Sequence, residues 1–182
     1  QKWLSKQPWT ILFVDGNHEN HDLLNQYEIS EWNGGKIHHI VKDKIIHLMR
    51  GQIFTIDGNT IFTMGGAQSH DMDIRKEWIN WWRNELPSFE EYNTALDNLK
   101  KANWKVDYVI SHCCCSSNVE LLLAEKYNPD EISLLEAFFE GLTKNLTYKR
   151  WYCGHYHINE NLPKDTTVLY HQIIPLGILA QL

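Results

Sequence analysis

Three times in this chain a short apolar run breaks off into histidine. Ile11-Leu12-Phe13-Val14 gives way to Asp15-Gly16-Asn17-His18-Glu19. Val106 to Ile110 stops at Ser111-His112, and Tyr148 to Cys153 stops at Gly154-His155-Tyr156-His157. Short runs rich in β-branched and aromatic side chains predict buried strands. After Glu19, the apolar residues Leu23, Leu24 and Tyr27 resume at helical spacing. A strand that ends in a turn and hands polar residues to a helix head is how α/β sheets build sites at their carboxyl edge. The repetition sets the expected class as α/β. It predicts that Asn17, His18, His112, His155 and His157 gather along one sheet edge.

Each piece alone has a plainer explanation. Asp15-Gly16 is a turn-forming pair, and Asn with His after it suits a helix cap. A lone loop histidine is usually a surface group. Several histidines and an asparagine at successive strand ends point together to a metal. Imidazole suits zinc, iron, manganese or nickel, and the carbonyl oxygen of Asn17 suits a hard divalent ion. The Gly-His-Tyr-His turn lets His155 and His157 fan out toward different ions. Such a mixed donor set favours metal-assisted hydrolysis over structural zinc.

The 182 residues fit one domain with a real core. A net charge of −6 leaves no global footprint for nucleic acid or anionic membrane. No apolar run approaches membrane-spanning length, and no signal peptide is visible. Cys113, Cys114 and Cys115 are consecutive, which suits neither a disulfide framework nor a zinc ribbon. They read as reduced thiols of a cytoplasmic protein.

Along the chain, a short helix is expected from Asn20 to about Tyr27, and strands at Ile37–Val41 and Ile45–Met49. Gln52–Ile56 and Thr60–Met64 flank Asp57-Gly58-Asn59 as a hairpin, which argues for a mixed sheet. Met64-Gly65-Gly66-Ala67 reads as a flexible loop carrying Ser69, His70 and Asp71. A short helix is expected over Ile74–Trp82. Ser88-Phe89-Glu90-Glu91 is a capping box, with Phe89, Tyr92, Leu96 and Leu99 as the apolar face behind it. Asn128-Pro129 starts another helix, with Ile132, Leu135, Phe139 and Leu142 buried. Val168–Gln172 and Ile173–Leu176 are expected to close the sheet.

Arg50 and His70 are candidate substrate contacts. For Arg50 a surface ion pair is the plainer alternative, and for His70 a solvated loop. Ser69-His70-Asp71 is no catalytic triad, because adjacency is not triad geometry. His38, His39, His47 and His171 read as structural or surface residues.

Gly16-Asn17-His18-Glu19, Ser111-His112 and Gly154-His155-Tyr156-His157 resemble, in order and spacing, the last three motifs of the calcineurin-like metallophosphoesterases. Phe13 to Asn20, Leu48-Met49-Arg50-Gly51, Met64-Gly65-Gly66-Ala67 and Trp81-Trp82 resemble a bacterial branch of that family. The resemblance implies a mixed β-sandwich flanked by helices. It implies Asn17, His112 and His155 on one metal and His157 on a second. His18 would be no ligand but would stabilise or protonate the phosphoester, with Glu19 orienting it. The implied activity is hydrolysis of phosphomonoester or phosphodiester bonds by a binuclear centre. The substrate is a phosphoester, and nucleic acid enters only as substrate.

The family's opening Asp-x-His and Gly-Asp motifs do not occur before Ile11. Residues 1–182 are therefore expected to be a single metallophosphoesterase-like domain lacking its N-terminal strand-helix-strand portion. Three alternatives stay open: a degenerate domain used for binding, a homodimer formed through an exposed sheet edge, and a mononuclear metal protein using Asn17, His112 and His155.

Overall fold

A computed structural model of the chain describes residues 2–69, 76–79 and 81–181. Two mixed sheets are flanked by helices. The first sheet has the order β1 (Ile11–Phe13), β4 (Ile45–Leu48), β3 (Gly35–Val41), β2 (Ile29–Trp32). β1 runs parallel to β4, and the other pairs are antiparallel. β1 is only half-buried, because it pairs on one side alone.

The second sheet has the order β5 (Gln52–Ile56), β6 (Asn59–Met64), β7 (Tyr108–Ser111), β8 (Arg150–Cys153), β10 (Thr166–Val168), β9 (Glu160–Leu162). β6, β7, β8 and β10 are parallel, with hairpins at both ends. The Asp57-Gly58 turn forms the first hairpin as its composition requires, with both residues at positive φ.

Alternation splits the second sheet into two faces. Phe62, Val109 and Trp151 point to a core shared with α2 (Phe89–Lys101), α3 (Ser116–Leu123) and α4 (Leu134–Asn145). Phe54, on the other face, packs with Ile37, Ile46 and Leu48 of the first sheet. Further along that face, Tyr108 and Tyr152 meet Leu169 and Ile174 of the C-terminal segment.

Both long helices begin with reciprocal capping boxes. Ser88 Oγ accepts from Glu91 N–H, and Glu91 Oε2 accepts from Ser88 N–H at 2.7 Å. Ser133 and Glu136 repeat the pattern at α4. That helix therefore starts at Leu134, and Asn128-Pro129 caps only a 3₁₀ turn. The buried face of α2 is Tyr92, Ala95 and Leu99, while Phe89 is 79% exposed. The small Ala95 lets β5 and the Gly51 turn approach.

Four other expectations change. Among the described part of 74–82 there is no helix; Glu77 bridges Trp81 around a turn with Trp78 at positive φ. Gly65, Gly66 and Ala67 form the expected loop after β6, but it is buried. The sheet closes with β9 and β10, whose polar sequences hide them. Beyond Val168 the described chain holds no strand: Tyr170 and His171 N–H bond the Asn159 side chain, and Ile173 is fully exposed. Among the described residues, no helix is long and apolar enough to cross a membrane.

Candidate functional site

The three histidine-bearing strand ends do converge, but from two sheets rather than along one. β1 belongs to the first sheet, β7 and β8 to the second. β7 and β8 are neighbours, so their ends lie side by side. Gly154 N–H donates to His112 O at 3.0 Å, and Trp151 Nε1 donates to Ser111 Oγ at 2.7 Å. The turn after β1 lies against this pair. A Cβ at Gly16 would press on the His112 ring at 3.0 Å, so the glycine lets the ring sit this close without shifting.

Asn17 is the pivot of the cluster. His112 Nε2–H donates to Asn17 Oδ1 at 3.1 Å. Asn17 Nδ2 donates to Ser69 Oγ at 3.0 Å. Ser69 Oγ donates in turn to Glu85 Oε2 at 2.7 Å, and Ser69 N–H to Glu85 Oε1 at 2.8 Å. Glu85 is 2% exposed. A buried carboxylate accepts only, so it fixes the direction of the serine hydroxyl. The serine then takes the Asn17 amide nitrogen, which turns the Asn17 carbonyl toward His112.

The histidine turn after β8 is backbone-strained. His155 and His157 both have positive φ, at 69° and 56°. Non-glycine residues occupy that region at a cost, and such outliers cluster at functional sites. The two rings fan apart. His155 lies 5.1 Å from His112, centroid to centroid, whereas His157 stacks on Tyr170 at 4.8 Å. Tyr156 between them is anchored: its hydroxyl accepts from Cys114 N–H at 3.2 Å.

Asn17, His18, Glu19, His112, His155 and His157 line one cavity of about 770 Å³, walled by Leu122, Leu123 and Ile158. No lysine or arginine faces it among the described residues. Burial pushes the His112 imidazole down to about 4, so the ring is neutral near pH 7. His18 is exposed at the mouth, its Nε2 3.4 Å from Asn17 Nδ2. Among the described residues no hydrogen bond joins Glu19 to His18.

Arg50 is neither at the surface nor in this cavity. It is 7% exposed, donates to Asp15 Oδ2 from Nε at 2.9 Å, and lines a different cavity. His70 lies outside the described residues. Cys113, Cys114, Cys115 and Cys153 are free and buried in the helix-side core. Burial raises the Cys113 and Cys115 thiols, which makes them packing groups rather than nucleophiles.

The donors that converge are an amide oxygen and two imidazoles, from Asn17, His112 and His155. Among the described residues, no group of three or more His, Cys, Asp or Glu side chains is arranged to hold a metal. The set fits a divalent ion only with the Asn17 carbonyl included. In sequence Ser69 reads as part of a loop able to line the site mouth, not as a support for Asn17, and Glu85 escapes the sequence reading: nothing in Arg83-Asn84-Glu85-Leu86 marks that glutamate as buried. No family model matches the chain, and no curated protein sequence matches it.

Proposed function

We propose that the strand-end cluster is a divalent-metal site that hydrolyses phosphoester bonds. The supporting observation is the placement of Asn17 Oδ1 against His112 Nε2, with His155 beside them. A neutral amide oxygen and imidazoles suit manganese, iron, zinc or nickel. When bound, such an ion supplies a polarised phosphoryl oxygen and an activated water.

The chain's own residues do the rest. Glu85 and Ser69 hold the Asn17 carbonyl in its ligating direction. Burial keeps His112 neutral, and an ion bound there would take the place of the Nε2 proton that Asn17 Oδ1 accepts. His18 stands exposed at the mouth beside Asn17 Nδ2, where its ring can stabilise phosphoryl charge or protonate the leaving oxygen. His157, turned away on Tyr170, is the residue that the motif resemblance assigns to a second ion. The motif resemblance to the calcineurin-like metallophosphoesterases supports the same assignment.

The test is a metal titration by calorimetry with Mn²⁺ and Zn²⁺, followed by turnover of p-nitrophenyl phosphate and its bis-ester. Binding of an ion that His112→Ala abolishes is expected. Turnover should be lost in both His112→Ala and His18→Ala, with His18→Ala still binding metal. Metal binding indifferent to His112, Asn17 and His155 would remove the basis of the proposal.

A further inference from the structure

A second cavity, of about 490 Å³, lies between α1 (His21–Leu24), the β3–β4 pair and the start of α2. It shares no lining residue with the strand-end cavity. Its floor is a chain of buried polar groups. His38 and His47 are cross-strand partners on β3 and β4. Their Nδ1 atoms lie 3.2 Å apart, and His47 Nε2 lies 3.0 Å from Asp15 Oδ1.

The protons in this chain have one consistent arrangement. Asp15 is a carboxylate paired with a guanidinium: Arg50 donates to its Oδ2 from both Nε and Nη2. With both rings neutral, His47 sets the arrangement. Its Nε2–H donates to Asp15, which leaves Nδ1 as a lone pair. His38 Nδ1–H then donates to His47 Nδ1. His38 Nε2 is left as an acceptor without a partner among the described residues, in a ring 2% exposed that lines the cavity.

A second nitrogen, this one closed off from solvent, also lacks a partner. His21 is 3% exposed, lines the cavity, and its Nε2 has no hydrogen-bond partner. Buried polar atoms without partners are uncommon and call for an occupant. Asp15 and Glu91 both pair with Arg50, and Arg83 pairs with Glu77, so the charges lining the cavity have partners within the protein, which disfavours an ionic occupant. Leu24, Met49, Leu86 and Tyr92 supply apolar wall.

We infer that this cavity is a second ligand site, for a neutral organic molecule that presents a hydroxyl to His38 Nε2 and an apolar, ring-sized body to the surrounding wall. The direction of the Asp15–His47–His38 chain makes the hydroxyl a requirement, because a ligand without a donor leaves the histidine acceptor unpaired. The inference does not depend on phosphoesterase activity or on a metal.

The probes are phenol and anisole, the same ring with its hydroxyl capped. They are titrated at about pH 8, where neutral imidazoles dominate, into the full chain labelled with ¹⁵N-histidine. Before ligand, His47 should show as the Nε2–H tautomer and His38 as the Nδ1–H tautomer. Phenol should shift the His38 Nε2 resonance saturably, and anisole should bind at least about tenfold more weakly. His38→Phe should lose the phenol response while keeping the remaining histidine resonances. Three results overturn the inference: His38 as the Nε2–H tautomer, equal binding of the two probes, or phenol shifts confined to His18, His112, His155 and His157. If His38→Phe does not fold, the phenol and anisole contrast on the unsubstituted chain decides.

Discussion

His112 Nε2 meets Asn17 Oδ1 at 3.1 Å across 95 residues of sequence. The contact exists because β7 carries His112 to its carboxyl end while Glu85 and Ser69 set which way the Asn17 amide faces. The cluster therefore depends on two residues that carry none of its chemistry.

Replacing Ser69 with Ala should expose that dependence. Asn17 Nδ2 loses its nearer acceptor and keeps only the longer contact to His18 Nε2, and Glu85 keeps only the Ser69 N–H. A loss of about 1–3 kcal/mol is expected from urea unfolding. Affinity for Mn²⁺ should fall roughly 10–100-fold, as when an orienting partner of a ligand is removed. Ser69→Thr, which keeps the hydroxyl, should recover most of the metal affinity. Unchanged affinity in Ser69→Ala would show that Asn17 is oriented by something else.

Two glycine-to-alanine substitutions should go in opposite directions. A Cβ at Gly65 would collide with the Asp15 carboxylate and backbone, so Gly65→Ala should cost about 2–3 kcal/mol. Gly141, inside α4, has nothing within 4 Å of an added Cβ. There Ala should stabilise by roughly 0.5–1 kcal/mol through helix propensity and a less flexible unfolded chain. Thermal melts of both variants decide the matter.

Arg50 and Asp15 form a buried pair, with side chains 6% and 1% exposed. Arg50→Met leaves the carboxylate without its cation, and about 3–5 kcal/mol of stability should be lost. Arg50→Lys should not restore it, since one ammonium cannot replace contacts to Asp15, Asn84 O and Glu85 O together. Denaturant midpoints near the unsubstituted value in either variant would contradict the pairing argument.

His38 gives stability a pH dependence of known sign. Burial, and then His47, push its imidazole from the ordinary 6.5 down to about 4. Between those values the unfolded chain binds the extra proton, so stability rises with pH. The contribution is fully present above about pH 6.5 and is lost as pH falls toward 4. Urea midpoints across that window should fall with acidification, and His38→Phe should flatten the slope by up to about one proton. An unchanged slope would mean that His38 is not the titrating group.

Much of the fold was legible in the sequence because its signals were local. The hairpin at Asp57-Gly58, the capping box at Ser88 and the strands expected at Ile37–Val41 and Ile45–Met49 each rest on residues a few positions apart. Elements without a local signal were missed. α3 follows a run of cysteines with little helical pattern, and β9 and β10 are polar strands at a sheet end. The C-terminal apolar residues suggested strands, yet they cover Tyr108 and Tyr152 as irregular chain.

The sequence by itself determined that apolar runs end in Asn17-His18, His112 and His155-Tyr156-His157, because period and turn chemistry are properties of neighbouring residues. Only the tertiary structure decided how those ends meet. It placed β1 in one sheet and β7 and β8 in the other, and brought Glu85 and Ser69 behind Asn17. It also drew His38, His47, Asp15 and Arg50 into one buried chain beside a separate cavity. Burial and hydrogen-bond direction depend on what lies across the fold, and no stretch of sequence contains that information.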